Sequence, residues 1–549
     1  MIEKLNTLKA EAAWSFFTQL CKEPQKTQEE ILHSILKEAE GCRYFKNHKL
    51  SVNDTPFEFI QKVKLNSWAD FIEPTSQMQN GVADLLFKGK PVAFLATSRT
   101  SGLKKLIPET EISLKGKMIT EKLRRNLVFK SFPEILEGKI LPLINKAPAD
   151  KTAAGIPYGS ASGLTAANSD KKLLNLISFP FSIFEIANQD TQDYLIMLFS
   201  IAEDIRLIVG NNIARMAKLT DVVKKNALQI CNDIETGTIN SFLKIDSGIR
   251  IKLERQLQPN PKRAAELREL AKNNNDFTPA NYWNNLKVIL TWLAGSIGNW
   301  VDSVKPLLGK GVVYFDYGYG ASEGKFNIPY KPEVSAGILA LHSAFYEFIP
   351  YSNSEKTDSE NRPQTLLAHQ LKKGELYEMV ITTFAGLYRY NMHDIIKVEG
   401  FYENTPTIVF VSKTGDVGDL VGERLAGSIV NRVVSGVLKK QSIPVKHICA
   451  VTKSTPPHYV FCIETEDINL KNLDSQNLAV LLDNEFQKEV GYRIMRRDNL
   501  LLLPEIKFMR QGWQQVLYKE KTPKGLTSAQ VKLPVIYNEH IPHKEFLIQ

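Results

Sequence analysis

Cysteine is scarce, and its spacing shows no pairing. The five, Cys21, Cys42, Cys231, Cys449 and Cys462, are odd in number and include no C-x-x-C. That excludes a disulfide framework and a cysteine zinc site, and fits a reducing compartment. An apolar signal core is missing after Met1-Ile2-Glu3-Lys4-Leu5. No hydrophobic run could span a bilayer. The most apolar helix-like stretch, 194–210, is interrupted by Glu203, Asp204 and Arg206. These absences predict a cytoplasmic protein with no membrane partner. The Walker pattern G-x-x-x-x-G-K-[ST], internal repeats and low-complexity segments are absent too. Long basic runs are lacking although the net charge is +9; the runs are pairs such as Lys372-Lys373 and Arg496-Arg497, with acids interleaved. This reads as a solvated basic surface, and no nucleic-acid partner is expected.

What is present is an ordinary globular composition over 549 residues, 43% hydrophobic and 23% charged. Such a length holds more than one core, since single cores stop growing near ~250–300 residues. Apolar spacing predicts helices over 5–21 and 29–39. Pro91 to Ala96 reads as a strand ending in a polar loop. Helices are expected to dominate from about Asp190 to Ala271, with Pro261 in the first turn of one, and again from Asn281 to about Leu308 with a break near Gly295 or Gly298. Gly311 to Asp316 and Leu376 to Thr383 read as strands. The mixture predicts an α/β fold with mixed sheets and helices.

The pattern changes after Val411, where Ser412 to Asp416 is polar. Beyond it a compact α+β unit is expected. Its helices cover about Ala426–Lys440 and Gln476–Val490, the second capped by Asp474 or Ser475 and closed by Gly491. Its strands lie near Ile448–Thr452 and Tyr459–Glu464. The predicted division is a large domain, 1–411, and a small domain, 412–549.

Four short stretches carry chemistry. In the loop Thr97-Ser98-Arg99-Thr100-Ser101-Gly102, backbone N–H groups and the hydroxyls of Ser98, Thr100 and Ser101 suit phosphate oxygens, and Lys105 adds positive charge. In Tyr319-Gly320-Ala321-Ser322-Glu323, after a strand, the ring suits a base and Glu323 suits Mg2+, a hard cation; an exposed loop acid is the plainer reading of Glu323. In Gly386-Leu387-Tyr388-Arg389-Tyr390, Arg389 suits a phosphate or a neighbouring acid. Five residues on, Asp394 suits ribose hydroxyls or a strand-end salt bridge. Gln530-Val531-Lys532-Leu533-Pro534 lies in a basic tail, where a surface role for Lys532 is the default. Loops delivered at the carboxyl ends of strands are where open α/β sheets bind ligands.

At these residues the chain resembles the Gretchen Hagen family, the auxin-responsive acyl-acid amido synthetases of the adenylate-forming superfamily. The family's phosphate loop, T/S-S-G-T-S/T followed by lysine and I-P, is similar to Thr97–Ser101 and Lys105–Pro108. Its tyrosine-to-glutamate motif matches Tyr319–Glu323, and its Y-F/Y-E-F-x-P element matches Phe345–Pro350. G-L-Y-R-Y-x-x-x-D matches Gly386–Asp394. A bacterial-type G-E-K-L appears as Gly422-Glu423-Arg424-Leu425, and Q-x-K-x-P matches Gln530–Pro534. The likeness runs from about residue 90 to 535. It departs at three places: Arg99 and His393 stand where the family has glycine, and Ser412-Lys413 where a hinge G-R is usual.

The resemblance implies a large adenylate-forming domain with a small mobile one, and a two-step reaction. ATP and a carboxylic acid give an acyl-adenylate, which an amine, usually an amino acid, converts to an amide. It further implies that Ser98, Thr100, Ser101 and Lys105 bind phosphates, that Tyr319, Gly320, Ala321 and Ser322 frame the adenine, and that Glu323 assists Mg2+. Asp394 would hold the ribose, Lys532 would be catalytic, and Ser412 and Lys413 would form the hinge. The alternatives are a catalytically silent member that binds a small molecule or protein, motivated by Arg99, and a carboxylate–CoA ligase.

Overall fold

The computed structural model describes residues 1–96, 105–143, 150–159, 171–210, 213, 215–273, 275–294, 301, 304–351, 364–413, 416–418, 420–421, 423, 425–465, 474–497, 500–521 and 533–548. The N-terminal region is helical, as its spacing predicts. The segment expected as one helix over 5–21 is two, α1 (Ile2–Thr7) and α2 (Ala10–Lys22), parted at Leu8, whose backbone is extended. α3 (Pro24–Ala39) opens on proline and buries Ile31, Leu32, Ile35, Leu36 and Ala39 along one face.

β1 (Ala93–Ala96) pairs antiparallel with β2 (Leu106–Glu109), so the hydroxyl-rich loop joins two neighbouring strands. α4 (Glu111–Ser131) follows at once. Its N-terminus is closed reciprocally: Ser113 N–H donates to Thr110 Oγ1 at 3.1 Å, and Thr110 N–H to Ser113 Oγ at 2.9 Å.

β3 (Lys139–Pro142), β4 (Ile205–Val209), β5 (Val288–Thr291) and β6 (Val313–Asp316) form a parallel sheet in that order. Two of them overturn helical expectations. The apolar run 194–210 is a helix only through α5 (Gln189–Ile201); Glu203 and Asp204 turn the chain into β4. The helical reading from Asn281 to Leu308 gives way to β5, all four residues of which are buried, but holds at 304–308; the break expected near Gly295 or Gly298 lies outside the described residues. A strand covered on both faces shows no alternation, so its short apolar run carries no period to separate it from a buried helix. Pro261 does open a helix, with Asn260 as its cap.

A larger antiparallel sheet is built on β7 (Ala344–Pro350), β8 (Leu376–Thr383), β9 (Tyr390–Tyr402) and β10 (Thr405–Lys413), adjacent in that order; shorter strands complete it at both edges. The N-terminal helices pack on it: Phe17, Leu32 and Leu36 share a core with Phe345, Phe348 and Ile381. Buried Gln28 ties the two, donating to the Leu341 carbonyl at 2.8 Å and accepting from Tyr346 N–H at 2.7 Å.

The remaining chain folds as α+β: α6 (Gly427–Lys440), β11 (His447–Ser454), β12 (Pro457–Glu464), α7 (Ser475–Phe486), α8 (Val490–Arg497), β13 (Glu505–Met509) and β14 (Ile536–Asn538), with sheet order β13-β12-β11-β14. Its core of Val430, Val434, Phe461, Leu482 and Phe486 is separate from those above. Asp474 is the cap of α7, accepting from Gln476 and Asn477 N–H, each at 3.0 Å. Gly491 does not close that helix: α7 ends at Phe486 and Gly491 lies in the first turn of α8. The new helix is favoured because Tyr492 is buried and Tyr492 and Arg496 both bond Asp483 of α7, at 2.9 and 2.6 Å. Among the described residues, no helix is long and apolar enough to cross a membrane.

Candidate active site

The loop after β6 is held from its first residue. Buried Asp316, the last residue of β6, accepts from Gly318 N–H at 2.6 Å and Leu293 N–H at 2.7 Å; burial pushes its carboxyl up to about 6. Gly318 has φ +86°, a conformation that L side chains rarely adopt, and Asn327 fixes the next residue by accepting Tyr319 N–H at 2.7 Å. Tyr319 is thereby aimed across at the large antiparallel sheet. Its ring stacks on Phe410 of β10 with centroids 5.3 Å apart, and its hydroxyl donates to Asp394 Oδ2 at 2.5 Å. Burial first, then the Asp394 charge, hold the phenol well above its ordinary range, so it stays a donor.

Asp394 reaches that position through an irregularity in β9. The register with β8 jumps between Glu378/Ile395 and Val380/Asn391, and His393 inside the jump has φ +52°. A bulge re-aims the side chains around it. The left-handed backbone accounts for the family's glycine at this position: here histidine adopts the strained conformation, with its ring bonded to Glu378 at 2.9 Å.

Lys105 and Glu323 also meet. The Lys105 ammonium donates to Glu323 Oε1 at 2.5 Å and to the Tyr390 hydroxyl at 2.6 Å. It lies 4.7 Å from the Trp68 ring centroid and 4.5 Å from that of Tyr390. Both charged groups are buried, so Glu323 is not an exposed loop acid. Beside them, Lys117 of α4 pairs with fully buried Glu109 and donates to the Ser322 carbonyl at 2.8 Å. Burial raises the Glu109 carboxyl and nearby Glu323 adds to that, while Lys117 opposes both. Ser322 Oγ donates to the Ala96 carbonyl at 3.3 Å, tying the second motif to the strand that leads into the first. Gly320 and Ala321 form the turn between, closed by Ala321 N–H to the Gly324 carbonyl at 2.9 Å.

Arg389 does not join this group. Its side chain is 2% exposed and its donors all end on protein oxygens. Nε and Nη2 hold both oxygens of Glu347 at 2.8–3.1 Å, Nη2 also approaches Thr365 Oγ1 at 3.4 Å, and Nη1 donates to the carbonyls of Val63 at 2.7 Å and Ile60 at 3.2 Å. Of the two partners its sequence offered, the neighbouring acid is the one it has. That acid belongs to the Phe345–Pro350 element. Gly386, at the start of the same motif, has φ +80°, and a Cβ there would stand 2.5 Å from Leu86 Cβ.

Ser412 and Lys413 end β10, opposite Ile395 and Asp394. Ser98, Arg99, Thr100, Ser101 and Lys532 lie outside the described residues, as do Gly422 and Arg424. Glu423 between the latter is buried, accepting from Leu420 and Val421 N–H at 2.8 and 2.9 Å and from the Tyr459 hydroxyl. Sequence reasoning missed Trp68, Glu109, Lys117, Asp316 and Phe410. Asp316 was marked by its place at the end of a strand; the others have no local signal, because distant elements bring them in.

The donor set is one stacked aromatic pair, a carboxylate beside it, and a second carboxylate paired with an ammonium. That chemistry fits a nucleotide with a divalent cation. Among the described residues, no group of three or more His, Cys, Asp or Glu side chains could hold a metal ion.

The chain is similar to the indole-3-acetic acid-amido synthetase GH3.4 of Arabidopsis thaliana, 23% identical over 549 residues, covering 95% of this chain and 91% of that protein. It is likewise 23% identical to the jasmonoyl–L-amino acid synthetase JAR6 of Nicotiana attenuata over 539 residues, 94% of this chain and 92% of that one. Among solved structures, the GH3.15 acyl acid amido synthetase superposes with a TM-score of 0.79 at 20% identity, over 98% of this chain and 96% of the other, which shows the fold. The GH3 family N-terminal, central and C-terminal domains match residues 13–312, 337–413 and 429–541. Order, spacing and fold therefore agree, and the chain belongs to the GH3 family.

Proposed function

We propose that this protein is an ATP-dependent acyl-acid amido synthetase that joins a small carboxylic acid to an amine, in the first instance an amino acid. A carboxylate oxygen of the acid attacks the α-phosphorus of ATP, and the bond to pyrophosphate breaks, leaving an acyl-adenylate. The amine nitrogen then attacks the acyl carbon. The bond to AMP breaks, the nitrogen loses a proton, and an amide is released. The observation that carries the reading is the meeting of separate motifs: Tyr319 with Asp394, and Lys105 with Glu323. Relatives named for an auxin and for jasmonate support an acyl acid as substrate class.

In this reading Tyr319 to Ser322 frame the adenine and Asp394 takes the ribose hydroxyls, exchanging its bond from Tyr319 for bonds from sugar. Ser98, Thr100 and Ser101 cradle phosphates. Glu323 holds Mg2+, which neutralises phosphate charge when bound. Lys532 meets the charge that builds on carboxylate and phosphoryl oxygens during adenylation. Arg389 serves the fold that carries Asp394.

The large domain, 1–411, and the small domain, 412–549, would change orientation between the two steps. The flanks of the segment that joins them support a pivot there. Ser412 is paired into the large sheet, whereas Asp416 Oδ1 accepts from Val535 and Ile536 N–H at 2.7 and 2.8 Å, at the start of β14. The chain changes allegiance between Lys413 and Asp416, so Ser412 and Lys413 stand on the large-sheet side of the pivot. All five cysteines are free and buried, which fits the cytoplasm.

A pyrophosphate-release screen of carboxylic acids, with and without amino acids, tests the function, alongside calorimetric ATP titration of the wild type and Asp394→Ala. Acid-dependent release with amide formation supports it, as does weaker ATP binding in the variant. Thioester formation with coenzyme A and no amide would make it a carboxylate–CoA ligase. No nucleotide binding under any metal condition would leave a silent binding module.

A further inference from the structure

We propose that Lys105 is the resident counter-cation of Glu323, which keeps a divalent cation out of the site until nucleotide arrives. The inference rests on the nucleotide reading above and deepens it. Four charges are packed together here. Two carboxylates, Glu323 and Glu109, face two ammonium groups, Lys105 and Lys117. Lys117 is committed to Glu109 and to the Ser322 carbonyl. Lys105 is committed to Glu323 and to the Tyr390 hydroxyl, and the rings of Trp68 and Tyr390 flank its ammonium. Among the described residues the two carboxylates and the two ammonium groups match pair for pair.

Buried charges need a partner, and here each has one within the protein. The aromatic faces add a cation–π attraction that holds the ammonium over Glu323 rather than out toward a phosphate. A divalent cation approaching Glu323 must therefore share that carboxylate with a charge already bonded to it. It pays for this only when phosphate oxygens arrive with it, because their negative charge supplies the remaining ligands. Lys105 acts through Glu323, so it is a positioning residue, and the order of binding is built into the pair: nucleotide and metal together, not metal first.

The test is metal binding to the nucleotide-free protein, with Mn2+ as probe, read by electron paramagnetic resonance. Lys105→Met is expected to bind Mn2+ at least about ten-fold more tightly than the wild type, equivalent to ~1.4 kcal/mol. Adding Glu323→Gln to Lys105→Met should abolish the gain, and Lys105→Arg, which keeps the charge, should show none. Tyr390→Phe, which removes one hydrogen bond to the ammonium and leaves its bond to Glu323, should give a smaller gain and guards against a Lys105→Met protein that fails to fold. Metal-free ATP affinity, measured in chelator, should be nearly unchanged in Lys105→Met. Two results would overturn the proposal: no gain of Mn2+ affinity in folded Lys105→Met and Tyr390→Phe, or a large loss of metal-free ATP affinity in Lys105→Met, which would make Lys105 a phosphate ligand. Because the Mn2+ measurement needs no nucleotide, it still decides this point if the protein proves not to bind ATP.

Discussion

Arg389 sits inside the motif that resembles a nucleotide-binding element, yet its surroundings forecast a stability defect on substitution rather than a binding defect. Arg389→Met keeps the aliphatic stem and removes every donor. Glu347, 1% exposed, would then keep one bond, from Thr365 Oγ1 at 2.6 Å, and the Val63 and Ile60 carbonyls would lose theirs. Breaking one side of a buried ion pair costs ~3–5 kcal/mol, a large part of the ~5–15 kcal/mol that holds a domain folded. Removing both partners is far milder, because no buried charge is stranded; Arg389→Met/Glu347→Leu should recover most of the loss. Urea denaturation followed by tryptophan fluorescence measures both variants, and calorimetry measures ATP affinity in whatever remains folded. The expected pattern is a lowered urea midpoint in the single variant, recovery in the double, and ATP affinity close to wild type in both. An unchanged midpoint with ATP binding weakened ten-fold or more (about 1.4 kcal/mol) would refute the reasoning and put the guanidinium on a phosphate.

Arg99 can be tested as a phosphate ligand. Arg99→Gly should weaken ATP binding by ~1.5–3 kcal/mol, as for a charged hydrogen bond; a rise in pyrophosphate release instead would mark Arg99 as an obstruction in a degenerate site. Lys532→Ala should lower the adenylation rate by ~100-fold or more, as loss of a transition-state donor does, while ATP affinity stays nearly intact. Equal losses in both would assign Lys532 to anchoring. The half-buried His447 ring lies against Trp513, and its desolvation lowers the pKa from 6.5 to about 4. The folded state therefore resists a proton that the unfolded chain accepts. Its contribution is whole above pH 6.5 and is lost as pH falls from 6.5 to 4. His447→Phe should make the urea midpoint less dependent on pH across that window; an identical slope would show that other groups carry the acid sensitivity.

The sequence by itself determined the elements whose signals are local. Leu376–Thr383 is a strand with the bounds its composition indicates, and the helix read over Ala426–Lys440 differs only in that Ala426 is its cap. The motifs likewise singled out residues that the fold brings together, Lys105 with Glu323 and Tyr319 with Asp394. What sequence could not determine is the contact map between the motifs. The segments of β4 and β5 read as helix because a short, largely buried strand shows no clear alternation; their parallel neighbours make them strands. Arg389 suits a phosphate or an acid by sequence, and the acid that holds it, Glu347, lies 42 residues away. The Lys105–Glu323 pair spans 218 residues and Tyr319–Asp394 spans 75. Burial makes these partnerships compulsory, since a charged or polar group removed from water must find a counter-charge or a hydrogen-bond partner within reach. The sequence determined which residues could take part; which of them came within reach was decided only when the sheets packed.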